Sequence, residues 1–351
     1  LYVGGRGYDP GDRLGRITRR LEALGEGEAP VTADDMASIQ ADTYSNLGAT
    51  LTPHLLTAVG ALQEELAEPG THPGLTELAA GLDAGQRARL GDAAALLEAW
   101  SFETPAALDA AAGSAEANDS AATVLFNVWA VRFASAALGD EAMVLGRGAG
   151  TWLAGAMVAI FARPGELATG LADETGEALL CDDLGTPAVI ESCTLVALRA
   201  LGNALAWVAS PSGFDDEDPA TWRWGALHRL TLGSLLPSDA LAVPPPDDPD
   251  PALDGGYPRH GDNFSVDASS PGLGDLDFVY DHGPAMRHVT LLGGGAPPRT
   301  MLALPGGQVM DTRSPHWRDL MDTHWSKNAY FQLPWSTDEV RAHHETRWVF
   351  E

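Results

Sequence analysis

The sequence predicts an α+β protein, a large helical region followed by a shorter β-rich end. Residues 51–175 are rich in Ala, Leu and Glu, and turn signals at Pro69-Gly70, Pro73-Gly74, Gly81, Gly91, Pro105 and Gly113 cut them into a stack of short helices. Val243-Pro-Pro-Pro-Asp-Asp-Pro-Asp-Pro251 is a stiff polar break. Beyond it, Phe264–Asp267, Asp277–Tyr280, Met286–Leu292 and Thr300–Leu304 read as short strands. The expected division is a helical region at 1–242, a Pro/Asp-rich loop at 243–257, and closing strands and helices at 258–351.

The elements follow in order. The Gly-rich start, Gly4-Gly5-Arg6-Gly7, lacks the Lys-Ser/Thr that a phosphate loop requires. A helix is expected from about Asp12 to Leu24, with Leu14, Ile17, Leu21 and Leu24 on one face and Gly25 ending it. Thr32, with Asp35 three residues on, caps a second helix running through Met36, Ile39 and Gln40 to Tyr44. Asp34, Asp35 and Asp42 read as dipole partners and solvated face rather than metal ligands. Asp119 is the expected cap of an apolar helix in which Phe126 and Trp129 are core. The run Thr151–Phe161 is too short to span a bilayer and reads as a buried helix. A loop then leads into a long helix carrying Leu195, Leu198, Leu201 and Leu205. At the end, Ser314-Pro315 is expected to open a helix with His316 and Leu320 on one face. Ser336 with Glu339 caps a last helix to Glu345, and Trp348–Phe350 adds an edge strand.

Composition narrows the function. The 351 residues hold 49 acidic and 21 basic side chains, a net charge of −28 that argues against nucleic acid or anionic membrane as partner. A salt-loving source and a GC-rich genome explain this acidity and the Ala, Gly and Arg bias equally well. Cys181 and Cys193 form either a disulfide in an exported protein or two buried thiols. No signal peptide is visible, and the chain starts on Leu1 rather than Met, as expected of a processed or truncated piece.

Several blocks resemble, in order, the penicillin-acylase family of N-terminal-nucleophile hydrolases. The last is Arg299-Thr-Met-Leu-Ala-Leu-Pro-Gly-Gly-Gln308, followed by Ser314-Pro-His-Trp-Arg-Asp319 and Trp325. It is similar to the family's strand, Pro-Gly-(Gly)-Gln turn, Ser-Pro-His-aromatic-x-Asp helix and Trp, with Val309-Met310 where Ser-Gly commonly follows the Gln. Arg13 to Leu21 with Thr32 to Asp42, the segment Ala93–Trp100, Asn118-Asp-Ser-Ala-Ala-Thr-Val-Leu-Phe-Asn-Val-Trp129, and Trp222-Arg-Trp-Gly-Ala-Leu-His228 with Leu235-Leu-Pro237 are the others.

The resemblance implies the αββα sandwich core of Ntn hydrolases, here its C-terminal part beside the helical region. It implies amide hydrolysis by a processed precursor in which a new N-terminal Ser, Cys or Thr is the nucleophile and its own amine the base. Substrates would be a β-lactam side chain, an acyl-homoserine lactone or a lipopeptide. Partners would be the α-subunit and the nucleophile-bearing segment, which lies outside this chain, and the compartment periplasmic or secreted. No cofactor is required for the chemistry, and a structural calcium is compatible, with Asp275, Asp277 and Asp281 as candidates although no metal ligand is assigned.

One catalytic-neighbourhood residue carries over: Arg13, placed to hold the active-site hydrogen-bond network and the oxyanion Asn, with Arg16 as rival and a surface Arg as the plain reading. The alternative function is an inactive family member serving as a binding or scaffold module. Other constellations fit less well. His228 reads as structural, Ser314, His316 and Asp319 lie too close in sequence for a triad, and His343-His344-Glu345 lacks the spacing of a zinc helix.

Overall fold

The computed structural model describes residues 11–144, 146, 152–162, 179–183, 185, 186, 190–234, 236, 238–267, 269, 272–293, 298–347 and 349. Gly4 to Gly7, Thr151, Pro187, Leu235, Pro237, Trp348 and Phe350 lie outside them. In chain order the elements are α1 (Asp12–Glu26), α2 (Ala33–Gln40), α3 (Asn46–Ala67), α4 (Thr76–Gly81), α5 (Ala84–Glu98), α6 (Ala115–Val144), α7 (Trp152–Ala162), α8 (Cys193–Val208) and α9 (Trp224–Leu227). Next come β1 (Arg229–Leu230), β2 (Tyr257–Pro258), β3 (Arg287–Leu291), β4 (Arg299–Ala303), α10 (Asp319–Thr323), β5 (Phe331–Leu333) and α11 (Thr337–His343). The protein is α+β.

Two compact units interleave along the chain. One comprises the residues to Arg16 with Thr43–Arg229 and Pro258–Tyr280; the other comprises Ile17–Asp42, Leu230–Tyr257 and Asp281–Glu351.

The first unit is built around α6, which is apolar on every side and correspondingly enclosed. Phe126, Trp129 and Phe133 are fully buried, with ring centroids 5.7 and 5.3 Å apart along the helix. Ala115–Asp140 is, among the described residues, the one helix long and apolar enough to cross a membrane, and it is largely buried within the protein. Helices α5, α7 and α8 pack on α6, and α3 packs on α5, α7 and α8; Leu47, Leu51, Leu55, Leu62, Leu97, Leu198 and Leu201 belong to the same core. The helices are longer than the turn signals suggested, since Gly91 sits inside α5. Trp129 donates its indole N–H to Ala197 O at 3.1 Å, so the largest core side chain leaves no orphan donor. Cys181 and Cys193 are joined as a disulfide at the entry to α8.

Helix limits differ from expectation where a side chain or carbonyl is used elsewhere. Helix α1 runs through Gly25 to Glu26. Helix α2 has the expected Thr32–Asp35 capping box but ends at Gln40; Asp42 is buried against Arg20, and Tyr44 pairs as a β-bridge with Glu103. Helix α6 begins at Ala115, and Ser114 Oγ accepts from Ala117 N–H. Asp119 is instead inside the helix, accepting from the Ser101 N–H and hydroxyl.

Phe264–Asp267 is not a strand. Asp262 Oδ1 accepts from Phe264 N–H, and the Ser265 hydroxyl donates to the Asp262 carbonyl, local bonds that displace a ladder. Asp277–Tyr280 is likewise taken up by Asp turns, with a single bridge at Tyr280.

In the second unit β3, β4 and β5 form an antiparallel sheet in that order, with Val289 opposite Met301 and Leu302 opposite Phe331. Helix α2 packs on β3. After β4 the Pro305-Gly306-Gly307 turn returns against the next segment. The His316 carbonyl accepts from Gln308 and Val309 N–H, so it is not free to start a helix. Ser314-Pro315 therefore opens a turn, and α10 starts only at Asp319. Trp325 is buried and donates to Pro284 O at 2.9 Å. Helix α11 has the expected Ser336–Glu339 capping box and ends at His343.

A Cβ on Gly307 would stand 2.1 Å from the His316 carbonyl oxygen and 2.5 Å from Trp317 backbone. Gly307→Ala is expected to cost about 3 kcal/mol of stability, measured by denaturant unfolding; an unchanged midpoint would contradict this contact. Replacing Cys181 and Cys193 together by Ala is expected to cost about 2–3 kcal/mol, read as a lower unfolding midpoint of the oxidised wild type's double variant.

Candidate functional site

Arg13 lies in the first turn of α1, half-buried. One turn on, the Arg16 guanidinium sits 4.1 Å from the centre of the Tyr44 ring, a cation–π contact. Tyr44 is held from the other side by the edge of Phe102, ring centroids 5.8 Å apart, and by its bridge to Glu103. Ser45 follows as the N-cap of α3. Its hydroxyl accepts from Gly48 N–H and donates to Asp262 at 2.5 Å, and its own N–H donates to Phe102 O. Gly48 is obligatory here, because a Cβ would meet the Trp100 ring at 2.5 Å.

Asp262 is wholly buried. Burial pushes its carboxyl up to about 6; bonds from the Ser45 hydroxyl and the Phe264 and Ser265 N–H groups oppose that shift, and the charge of Asp12 on α1 adds to it. The first turn of α1 and this buried carboxylate therefore feel one another.

Asp262 belongs to the stretch Arg259–Asp267, which follows β2 without helix or strand and is held by polar contacts. Trp224 Nε1–H donates to Gly261 O at 2.7 Å, Gly261 N–H donates to Thr104 O, and Asn46 donates to Phe264 O. Arg259 and Asp267 form an ion pair at 2.9 Å, each about 1% exposed. Gly261 has φ of +89° and no room for a Cβ, with Ser269 Oγ at 2.4 Å.

His228 is structural. Its ring is stacked between Trp224 and Tyr280, centroids 4.7 Å from each, and Nδ1–H donates to Phe278 O at 2.9 Å. Burial drives it down to about 3, so it is neutral.

No nucleophile–base–orienter line forms among the residues singled out. Ser314 Oγ accepts from the His316 N–H, while the two ring nitrogens of His316 face Asp319 at 2.8 Å and Glu345 at 2.9 Å. Ser45 is occupied as a cap and enclosed. Asp275 and Asp277 serve local turns, and among the described residues no group of three or more His, Cys, Asp and Glu is placed to hold a metal ion.

The family decision comes from the chain as a whole. The family model described as Penicillin amidase matches residues 1–342. The chain belongs to the penicillin amidase family. No curated protein matches it. The family is one of hydrolases, and it associates the chain with acylase-type cleavage of amides.

Of the sequence-predicted penicillin amidase residues, Arg13 stands on a helix whose start adjoins Tyr44 and the Ser45–Asp262 pair. Sequence reasoning missed that pair. Its signals were present in Ser45-Asn-Leu-Gly48, a capping pattern, and in His260-Gly-Asp-Asn-Phe-Ser265, a turn read as part of a strand.

The sign of the pH effect at Asp262 follows from its raised value. Its contribution favours the fold fully below the unfolded value of about 3.9 and is lost as pH rises through about 6. His228 runs the other way, contributing above about 6.5 and losing this as pH falls towards 3. The stability of Asp262→Asn relative to wild type should therefore improve by about 2 kcal/mol between pH 4 and pH 7, measured by urea unfolding at each pH. A difference independent of pH would contradict the buried carboxylate.

Proposed function

We propose that this chain is part of the β-subunit of an acylase that hydrolyses a linear amide bond in a β-lactam side chain, an acyl-homoserine lactone or a similar N-acyl compound. The nucleophile is an N-terminal Ser, Cys or Thr carried outside these 351 residues. The observation that carries this reading is the family match across 1–342. The blocks of resemblance and the lack of a free nucleophile–base pair at Ser45, His228 and Ser314 support it.

In the proposed reaction the N-terminal amine takes the proton of the attacking hydroxyl or thiol as the acyl carbon–oxygen or carbon–sulfur bond forms. Collapse of the tetrahedral intermediate breaks the C–N bond, and the amine leaves with that proton. Water then hydrolyses the acyl-enzyme and restores the nucleophile. Arg13, a fixed cation on a half-buried helix start, holds the hydrogen-bond network that faces the developing oxyanion.

Strands β3–β5 are, in this reading, contributed to an αββα sandwich completed by the rest of the precursor, the α-subunit and the nucleophile-bearing segment. The Cys181–Cys193 disulfide supports a periplasmic or secreted location. The chemistry asks for no cofactor, and a structural calcium ion is compatible with it.

The test is to express the full-length gene, identify every polypeptide in the purified protein by mass spectrometry, and assay chromogenic N-acyl amides. A second polypeptide beginning with Ser, Cys or Thr and measurable hydrolysis are expected. Arg13→Ala should lower kcat about 100-fold with an unchanged unfolding midpoint. No such polypeptide and no hydrolysis would overturn the reading in favour of a binding or scaffold module.

A further inference from the structure

The Ser45–Asp262 pair is connected to Arg13 by contacts that all lie within one unit. Asp262 receives the Ser45 hydroxyl; Ser45 is bonded in the chain to Tyr44; the Tyr44 ring carries Arg16; and Arg16 lies three residues after Arg13 on the same helix face. From the other direction, Asp12, next to Arg13, acts on Asp262 directly through its charge. A fully buried carboxylate receiving several donors is a costly feature for a soluble fold, and the cap of α3 alone does not require it, since Ser45 already accepts from Gly48 N–H.

We propose that Asp262 is a positioning residue for Arg13: through Ser45 and Tyr44 on one side and Asp12 on the other, its charge state sets where the first turn of α1, and with it the Arg13 guanidinium, stands. The inference rests on the reading of Arg13 given above.

The groups around Asp262 fix what titrates. From α1 the charged residues are Asp12, Arg13 and Arg16. Glu103, across the bridge from Tyr44, is occupied by the Thr43 hydroxyl at 2.8 Å. His260 uses Nδ1 to accept the Ala106 N–H, and burial lowers its proton affinity. Ser265 Oγ accepts from the Asp262 N–H and follows the backbone rather than the carboxylate. When Asp262 is ionised it repels Asp12 and grips the Ser45 hydroxyl; when it takes a proton, the repulsion ends and the grip on the bridge weakens.

The experiment uses the whole processed protein and two readouts. In wild type, labelled Asp carboxyl and Arg Nε resonances are followed by NMR from pH 4 to 8. Asp262 is expected to titrate near 6 and the Arg13 Nε resonance to move with the same midpoint, the Arg13 step vanishing in Asp262→Asn. For amide hydrolysis, Asp262→Asn and Ser45→Ala should each lower kcat about 10-fold with KM within two-fold, and Asp262→Asn should erase the kcat inflection near that midpoint, while Asp262→Glu should restore it in part.

A purely structural role would lower the unfolding midpoint without moving the Arg13 resonance or the pH profile, and that result overturns the proposal. Should the wild type hydrolyse no amide, the functional reading fails, while the Arg13 resonance still decides whether Asp262 positions it.

Discussion

The structure of the first unit depends on one constraint: the largely buried stretch Pro258–Asp267 lies against the helical core with almost no ladder or helix to satisfy its polar groups. Backbone buried in this way is tolerated only when each N–H and C=O finds a partner. The sequence meets this with residues chosen singly. Thr104 and Trp224 bond to Gly261, Asn46 bonds to Phe264, and Arg259 finds Asp267 within the segment itself. Gly261 permits the left-handed turn that brings these groups together. Breaking the Arg259–Asp267 pair from one side would strand a buried charge, which is a much larger cost than the pair's own net contribution.

This constraint explains which features could be read from the chain and which could not. Capping boxes at Thr32–Asp35 and Ser336–Glu339 are local and stood out in the sequence, as did strands β3 and β4 and the apolar helix through Phe126 and Trp129. Boundaries failed where a distant group claimed a local one. Asp119 looked like a cap but binds Ser101, and Ser314-Pro315 looked like a helix start but surrounds a carbonyl already taken by Gln308 and Val309. Phe264–Asp267 has strand composition, yet the Phe264 N–H and the Ser265 hydroxyl are bonded to Asp262, and the Phe264 carbonyl accepts from Asn46, more than two hundred residues away in sequence. Arg13 was singled out only by resemblance. Asp262 was not legible, because nothing local marks an Asp as buried rather than solvated.

Function follows the same logic of distributed parts. Membership of the penicillin amidase family rests on a match along 1–342, while the side chains that a triad search would pick are each engaged otherwise. His228 is a neutral ring between two aromatics, His316 is bracketed by two carboxylates, and Ser45 is enclosed. On the function proposed above, the chain offers the chemistry Arg13 on α1 with Asp262 as its positioning residue, and the nucleophile lies outside these residues.

The most direct measurement of that claim is covalent trapping. The purified, active protein would be treated with a sulfonyl fluoride or an activated acyl ester and the labelled residue located by peptide mass spectrometry. The account predicts a single label on an N-terminal Ser, Cys or Thr that lies outside these 351 residues. A stoichiometric label on any residue of these 351, Ser45 or Ser314 included, with loss of hydrolysis in proportion, would contradict it.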